Sequence, residues 1–141
     1  MIKFVFDTNI FISAILTPGN PRKLVDLARE RKVMLFTSEF IIWEIERILR
    51  TKINMETPQI LVILSSIREI SLFVSPAVVI SIIDRDKSDN RILECAIEAK
   101  AEYIVSGDEH LLSLGRYDEI SIVNASQFLK IYQSKTNTNV N

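Results

Sequence analysis

The chain has 141 residues, about half of them apolar and a quarter charged, and a net charge of −1. That supports one globular domain with its own core, and it gives no overall attraction to a polyanion, so a nucleic-acid substrate needs local basic patches or metal ions. One cysteine, Cys95, excludes an internal disulfide framework and a cysteine-based zinc site, and with His110 as the single histidine any metal is expected to be held by oxygen.

The start, Met1-Ile2-Lys3-Phe4, lacks the basic region and cleavage site of a signal peptide. Ile2 to Phe6 reads as a buried strand, followed by Asp7-Thr8-Asn9 and a helix from near Ile10. After the turn Pro18-Gly19-Asn20-Pro21, Arg22 to Arg31 reads as an amphipathic helix, and Val33 to Phe36 as a second short strand. Ser38 to Arg50 and Thr57 to Ile70 read as helices. Leu72 to Ile83 is the longest apolar run; Ser75, Pro76 and Ser81 break it, and it is too short to cross a bilayer, so the expectation is a cytoplasmic protein with no membrane segment. Ser88 to Lys100 is a further helix, Tyr103 to Ser106 and Ile120 to Val123 are strands, Glu109 to Leu114 is a short helix, and the last helix lies near Ala125 to Tyr132. Strands alternating with such helices predict right-handed crossovers and a mostly parallel sheet covered on both faces. The expected domain is residues 1–132, with a polar, disordered tail over 133–141.

Basic residues fall into three groups: Arg22, Lys23, Arg29, Arg31 and Lys32; then Arg47, Arg50 and Lys52; then Arg85, Lys87 and Arg91. Most such clusters are solvated helix surface.

Four acids stand out because each sits where a strand ends, a helix begins or a helix buries a face. Asp7 and Asp108 follow strands, where ligands of parallel sheets bind, and each could also cap the helix after it. Glu44 borders the apolar stripe of Ile41, Ile45 and Ile48, where a carboxylate is costly unless it pairs with an arginine or ligates a cation. Asp89 shares a face with Ile92, Leu93 and Ala96, and could alternatively just complement the helix dipole; Asp86 competes with it, while Asp84 reads as structural or solvated. At about 4 Å two carboxylates repel by roughly 4 kcal/mol at an effective dielectric near 20, so a cluster implies a divalent cation or raised pKa values. Oxygen donors of this kind select Mg²⁺ or Mn²⁺.

The segments VFDTNIFISAIL, SEFIIWEIERIL, DKSDNRILECAIEAKAEYIVSGDEHLLSL and ISIVNASQFL, in this order and spacing, resemble the PIN-domain ribonucleases over residues 2 to about 130. The resemblance implies an α/β fold, a three-layer α/β/α sandwich with a five-stranded, mostly parallel sheet. It assigns catalysis and metal binding to Asp7, Glu44, Asp89 and Asp108, with Thr8, Asn9, Asn90 and Ser106 as supporting donors. It further implies an Mg²⁺- or Mn²⁺-dependent endoribonuclease acting on RNA, similar to the toxin components of prokaryotic toxin–antitoxin pairs, with an antitoxin partner. His110 stands where many relatives carry another acid, and Ser88 where an additional aspartate often precedes the Asp89 position.

Rival readings are a housekeeping ribonuclease, a non-catalytic RNA- or protein-binding module of the same fold, and a phosphoryl-transfer domain with Asp7 as nucleophile. The last is disfavoured by Asn9, where phosphatases of the haloacid-dehalogenase type carry an acid, and by the lack of a late-strand lysine expected of a receiver. Trp43 lies off the core stripe of its helix, so it is expected to face outward into a homodimer or antitoxin contact unless the helix Thr57 to Ile70 covers it.

Overall fold

The computed structural model describes residues 1–82 and 87–140. Asp84, Arg85 and Asp86 lie outside the described residues. The chain begins with β1 (Lys3–Phe6), α1 (Thr8–Leu16), α2 (Asn20–Arg29) and β2 (Met34–Thr37), and continues through α3 (Glu39–Thr51), α4 (Thr57–Ile70) and β3 (Ser71–Phe73). It ends with α5 (Lys87–Ala99), β4 (Tyr103–Val105), α6 (Glu109–Leu114), β5 (Arg116–Tyr117), β6 (Ile120–Val123) and α7 (Ala125–Val140).

The sheet order is β3-β2-β1-β4-β6-β5, parallel throughout except for the antiparallel β5–β6 pair. It has six described strands where the resemblance implies five and the residue reading found four: β3 pairs beside β2, and β5 forms a short hairpin arm before β6. Phe4 and Val5 point to opposite faces of β1 and both are fully buried, so helices cover both faces, as an all-apolar strand in a parallel sheet requires. On the Phe4 and Phe6 face, Phe11 of α1 packs edge-on to Phe6 with centroids 5.0 Å apart, and Phe128 of α7 lies 4.8 Å from Phe4. α5 packs against β1, β2 and β4 through a face that includes the fully buried Leu93 and Ala96.

Helix starts follow local chemistry. The Asp7 and Ser38 side chains accept amide hydrogen bonds at the first turns of α1 and α3, and prolines sit in the first turns of α2 and α4, where a missing N–H costs nothing. α7 continues past Tyr132, its expected end, to Val140: no glycine or proline stops it, and the Thr136 hydroxyl donates back to the Tyr132 carbonyl at 2.9 Å.

After β1 the chain builds outward through β2 to β3, then returns to place β4 on the other side of β1. Strand order therefore reverses between β1 and β4, and a crevice opens beyond their carboxyl ends.

Candidate active site

Because Phe6 pairs with Val105, the residues just past both strands are neighbours, and the Asp7 amide donates to the Val105 carbonyl at 3.0 Å. Asp7 caps α1: its Oδ1 accepts from the Ile10 amide at 2.9 Å, while its Oδ2 accepts a short hydrogen bond from the fully buried Ser106 hydroxyl. Ser106 Oγ in turn accepts from the Asp108 amide at 2.9 Å. Asp108 caps α6, its Oδ1 accepting from the amides of His110 and Leu111 at 2.8 and 3.1 Å. The two strand-end aspartates are thus both helix caps and both tied to one serine. For Asp7, capping and site placement coincide, and a carboxylate has lone pairs enough for both.

Burial is the largest influence on the Asp7 carboxyl and pushes it above the usual aspartate range. The Ser106 hydroxyl and the Ile10 amide pull it back, the charge of Asp108 pushes it further up, and the Gly107 amide pulls it down again. The charged form is held in place by donors yet opposed by burial and by the charge of Asp108.

Glu44 reaches the crevice from α3. The 3.6-residue period sets it beside Ile41, Ile45 and Ile48, and the structure buries it, with Thr8 Oγ1 donating to Glu44 Oε1 at 3.4 Å. Asp89 comes from the first turn of α5 and is likewise buried. Asp7, Glu44 and Asp89, together with Thr8, Asn9 and Ser88, line one polar cavity of about 180 Å³, and Arg47, Lys52, Ile48 and Ile92 complete its wall.

Asp108 does not line this cavity; its carboxylate is turned onto the α6 cap, and it meets Asp7 through Ser106. Asn90 is buried but also lies off the wall, and the His110 side chain is exposed. Among the described residues no three acidic, histidine or cysteine side chains already converge as a metal-ligand group. The donor chemistry nevertheless fits a hard divalent cation. Three buried carboxylates from three separate segments share a cavity large enough for an ion with water, and every acidic donor is oxygen. Cys95 is no alternative nucleophile, since burial pushes its thiol up to about 12.

Arg47 and Lys52 stand out only in three dimensions. Each belongs to a basic cluster visible in the sequence, and their spacing of three and eight residues from Glu44 on α3 is the signal that places them at the same crevice. Glu94 is a buried acid of another kind: it pairs with Arg91 at 2.7 Å and accepts the Ile80 amide at 2.7 Å, so it fastens the segment before α5. Trp43 is 55% exposed, so α4 does not cover it. No helix among the described residues is long and apolar enough to cross a membrane.

Comparison with known proteins places the chain in a family. The profile of the PIN domain matches residues 3–110, a span that contains Asp7, Glu44, Asp89 and Asp108. An uncharacterised protein of Methanocaldococcus jannaschii, MJ1680, is 39% identical over 119 residues, which make up 80% of this chain and 75% of that protein.

Proposed function

The chain belongs to the PIN-domain family, whose members are generally nucleases, and from that premise we propose that it is a divalent-metal-dependent endoribonuclease. One observation carries the reading: buried carboxylates from β1's end, α3 and α5 line a single polar cavity at the point where strand order reverses. Asp7, Glu44 and Asp89 are the residues to hold Mg²⁺ or Mn²⁺, with Asp108 joining from beside Asp7. When bound, the ion supplies Lewis-acid stabilisation of charge on the phosphodiester.

The chain's own residues supply position. The Ile10 amide and the Ser106 hydroxyl fix both oxygens of Asp7, and Thr8 steers Glu44, so two of the carboxylates approach the cavity with their rotamers set. Arg47 and Lys52 bring positive charge to the rim of an otherwise acidic cavity, which lowers the cost of a phosphate approaching it. Single-stranded RNA suits the recess, because an unstacked strand bends to bring one phosphate inside.

The test is cleavage of a fluorescent single-stranded RNA panel with Mn²⁺ or Mg²⁺. The protein should cleave, a chelator should stop it, and Asp7→Asn should be inactive while still folded. Cleavage that survives chelation sinks the metal reading, and a folded wild type with no cleavage of any RNA favours a binding module. The finer role, toxin of a toxin–antitoxin pair, rests on the motif resemblance. Induced expression in a bacterial host should then arrest growth in an Asp7-dependent way, whereas growth unaffected by active enzyme would mark a housekeeping ribonuclease.

A further inference from the structure

On α3, the residues between the outward Trp43 and the inward Glu44 form a connected set. At 100° per residue, Arg47 and Phe40 fall angularly between Trp43 and Glu44. Phe40 is half-buried and supports the Trp43 ring at 5.8 Å between centroids and 38° between planes. The Arg47 guanidinium lies 5.9 Å from the Trp43 ring centroid, and the same arginine lines the acidic cavity. Among the described residues neither Arg47 nor Lys52 makes a salt bridge, in contrast to Arg50, which is paired with Glu46. An exposed indole, an uncommitted guanidinium and a carboxylate cavity therefore follow one another along one helix.

We propose that Trp43, supported by Phe40 and Arg47, is a stacking platform for a base of a single-stranded nucleic acid whose adjoining phosphate enters the acidic cavity. An aromatic face accepts any base, and an arginine beside it adds charge for the backbone, which is how sequence-tolerant single-strand sites gain affinity. The inference rests on reading the cavity as a phosphodiester-cleaving site, and it makes Trp43 a substrate-positioning residue. A protein contact is the rival occupant, since the α4 flank exposes Leu61 and Val62. The continuity of Arg47 with the cavity and the uncommitted cations favour the polyanion.

Trp43 is the sole tryptophan, so its fluorescence reports on the platform directly. The experiment titrates the full chain with a single-stranded 2′-O-methyl oligonucleotide in low salt, with Ca²⁺ in place of Mn²⁺ so that the carboxylates are neutralised. It follows indole emission together with the anisotropy of a labelled oligonucleotide. Saturable quenching is expected, with affinity about 5- to 100-fold weaker for Trp43→Ala and largely recovered in Trp43→Phe. In steady-state cleavage with Mn²⁺, Trp43→Ala should raise KM more than it lowers kcat. Absence of quenching overturns the proposal, whether or not the oligonucleotide binds. So does a Trp43→Ala variant that keeps its oligonucleotide affinity while a dimer seen by light scattering becomes a monomer, because that outcome makes Trp43 a protein contact. A wild type that cleaves RNA without an indole response overturns this inference alone, whereas an indole response without any cleavage overturns only the nuclease reading.

Discussion

Ser106→Ala should unfasten the site at its base. The hydroxyl is fully buried, donates to Asp7 Oδ2 and accepts the Asp108 amide at 2.9 Å, so the substitution removes two hydrogen bonds at once. The bond to Asp7 is charge-assisted and worth about 1.5–3 kcal/mol; the Asp108 amide is only partly buried, so its loss adds about 0.5–1 kcal/mol. The sum, about 2–4 kcal/mol where Asp7 is charged, corresponds to a drop in Tm of roughly 6–14 °C for a chain of this size.

The deficit should depend on pH with a definite sign. Burial raises the Asp7 carboxyl in the folded protein above its ordinary 3.8, so the charged carboxylate costs stability as pH rises through the folded value, and the cost fades as pH falls toward 3.8. Removing Ser106, which lowers the Asp7 value, raises it further and extends that cost to higher pH. The gap between wild type and variant should therefore narrow as the pH is lowered toward the ordinary aspartate value of 3.8 in metal-free buffer, measured by thermal melting with chelator present. A variant that melts with wild type across the whole range, or whose gap widens in acid, would refute the reasoning that the serine holds a charged Asp7.

Asp108→Asn should leave stability within about 0.5 kcal/mol, because asparagine caps α6 as well as aspartate does, while loss of its charge beside Asp7 lowers RNA cleavage about 10- to 100-fold; unfolding of the variant would make its role purely structural. Thr8→Val removes the hydroxyl that steers Glu44 and keeps the side-chain shape, so Mn²⁺ affinity by calorimetry should fall about 10- to 100-fold with little change in the metal-free melt, and unchanged affinity would show that Glu44 needs no such support. Ending the chain after Tyr132 should cost less than about 2 kcal/mol in a urea melt, since the removed Lys135 contributes a solvent-screened pair with Glu102 at 3.7 Å and a half-exposed cation–π contact 5.5 Å from the Tyr103 ring centroid. A larger loss would make the end of α7 part of the cooperative domain.

Much of this site was legible from spacing. Asp7 and Asp108 follow short apolar strands, and the register of β1 with β4 brings Asp7 and Ser106 side by side, tied to Asp108. Glu44 was legible because helical periodicity set it against a stripe of isoleucines, and the structure buries it there. β3 and β5 were not legible: β3 follows α4 directly with no glycine or proline between them and leaves Leu72 and Phe73 exposed, and β5 has only two residues, too few for an alternation to register. The turn of the β5–β6 hairpin is Asp118-Glu119, with Asp118 at φ 55°, a conformation aspartate tolerates without the glycine that usually signals it. That Asp108 stands off the cavity wall also escaped the sequence, because the choice between capping and facing the crevice is a matter of rotamer, and α6 amides take its oxygen. The same limit hid the meeting of Arg47 with both Trp43 and the cavity.

The central claim is that Asp7, Glu44 and Asp89 together make one cation site. Titrating Mn²⁺ into the chelator-stripped protein, with binding read by calorimetry, tests it without any assumption about substrate. The wild type should bind Mn²⁺ saturably, and at 100 times its Kd the ion should stabilise the fold by about 2.7 kcal/mol. Glu44→Gln and Asp89→Asn should each weaken binding while remaining folded. A wild type that takes up no Mn²⁺, or variants that bind it as tightly as wild type, would contradict the account.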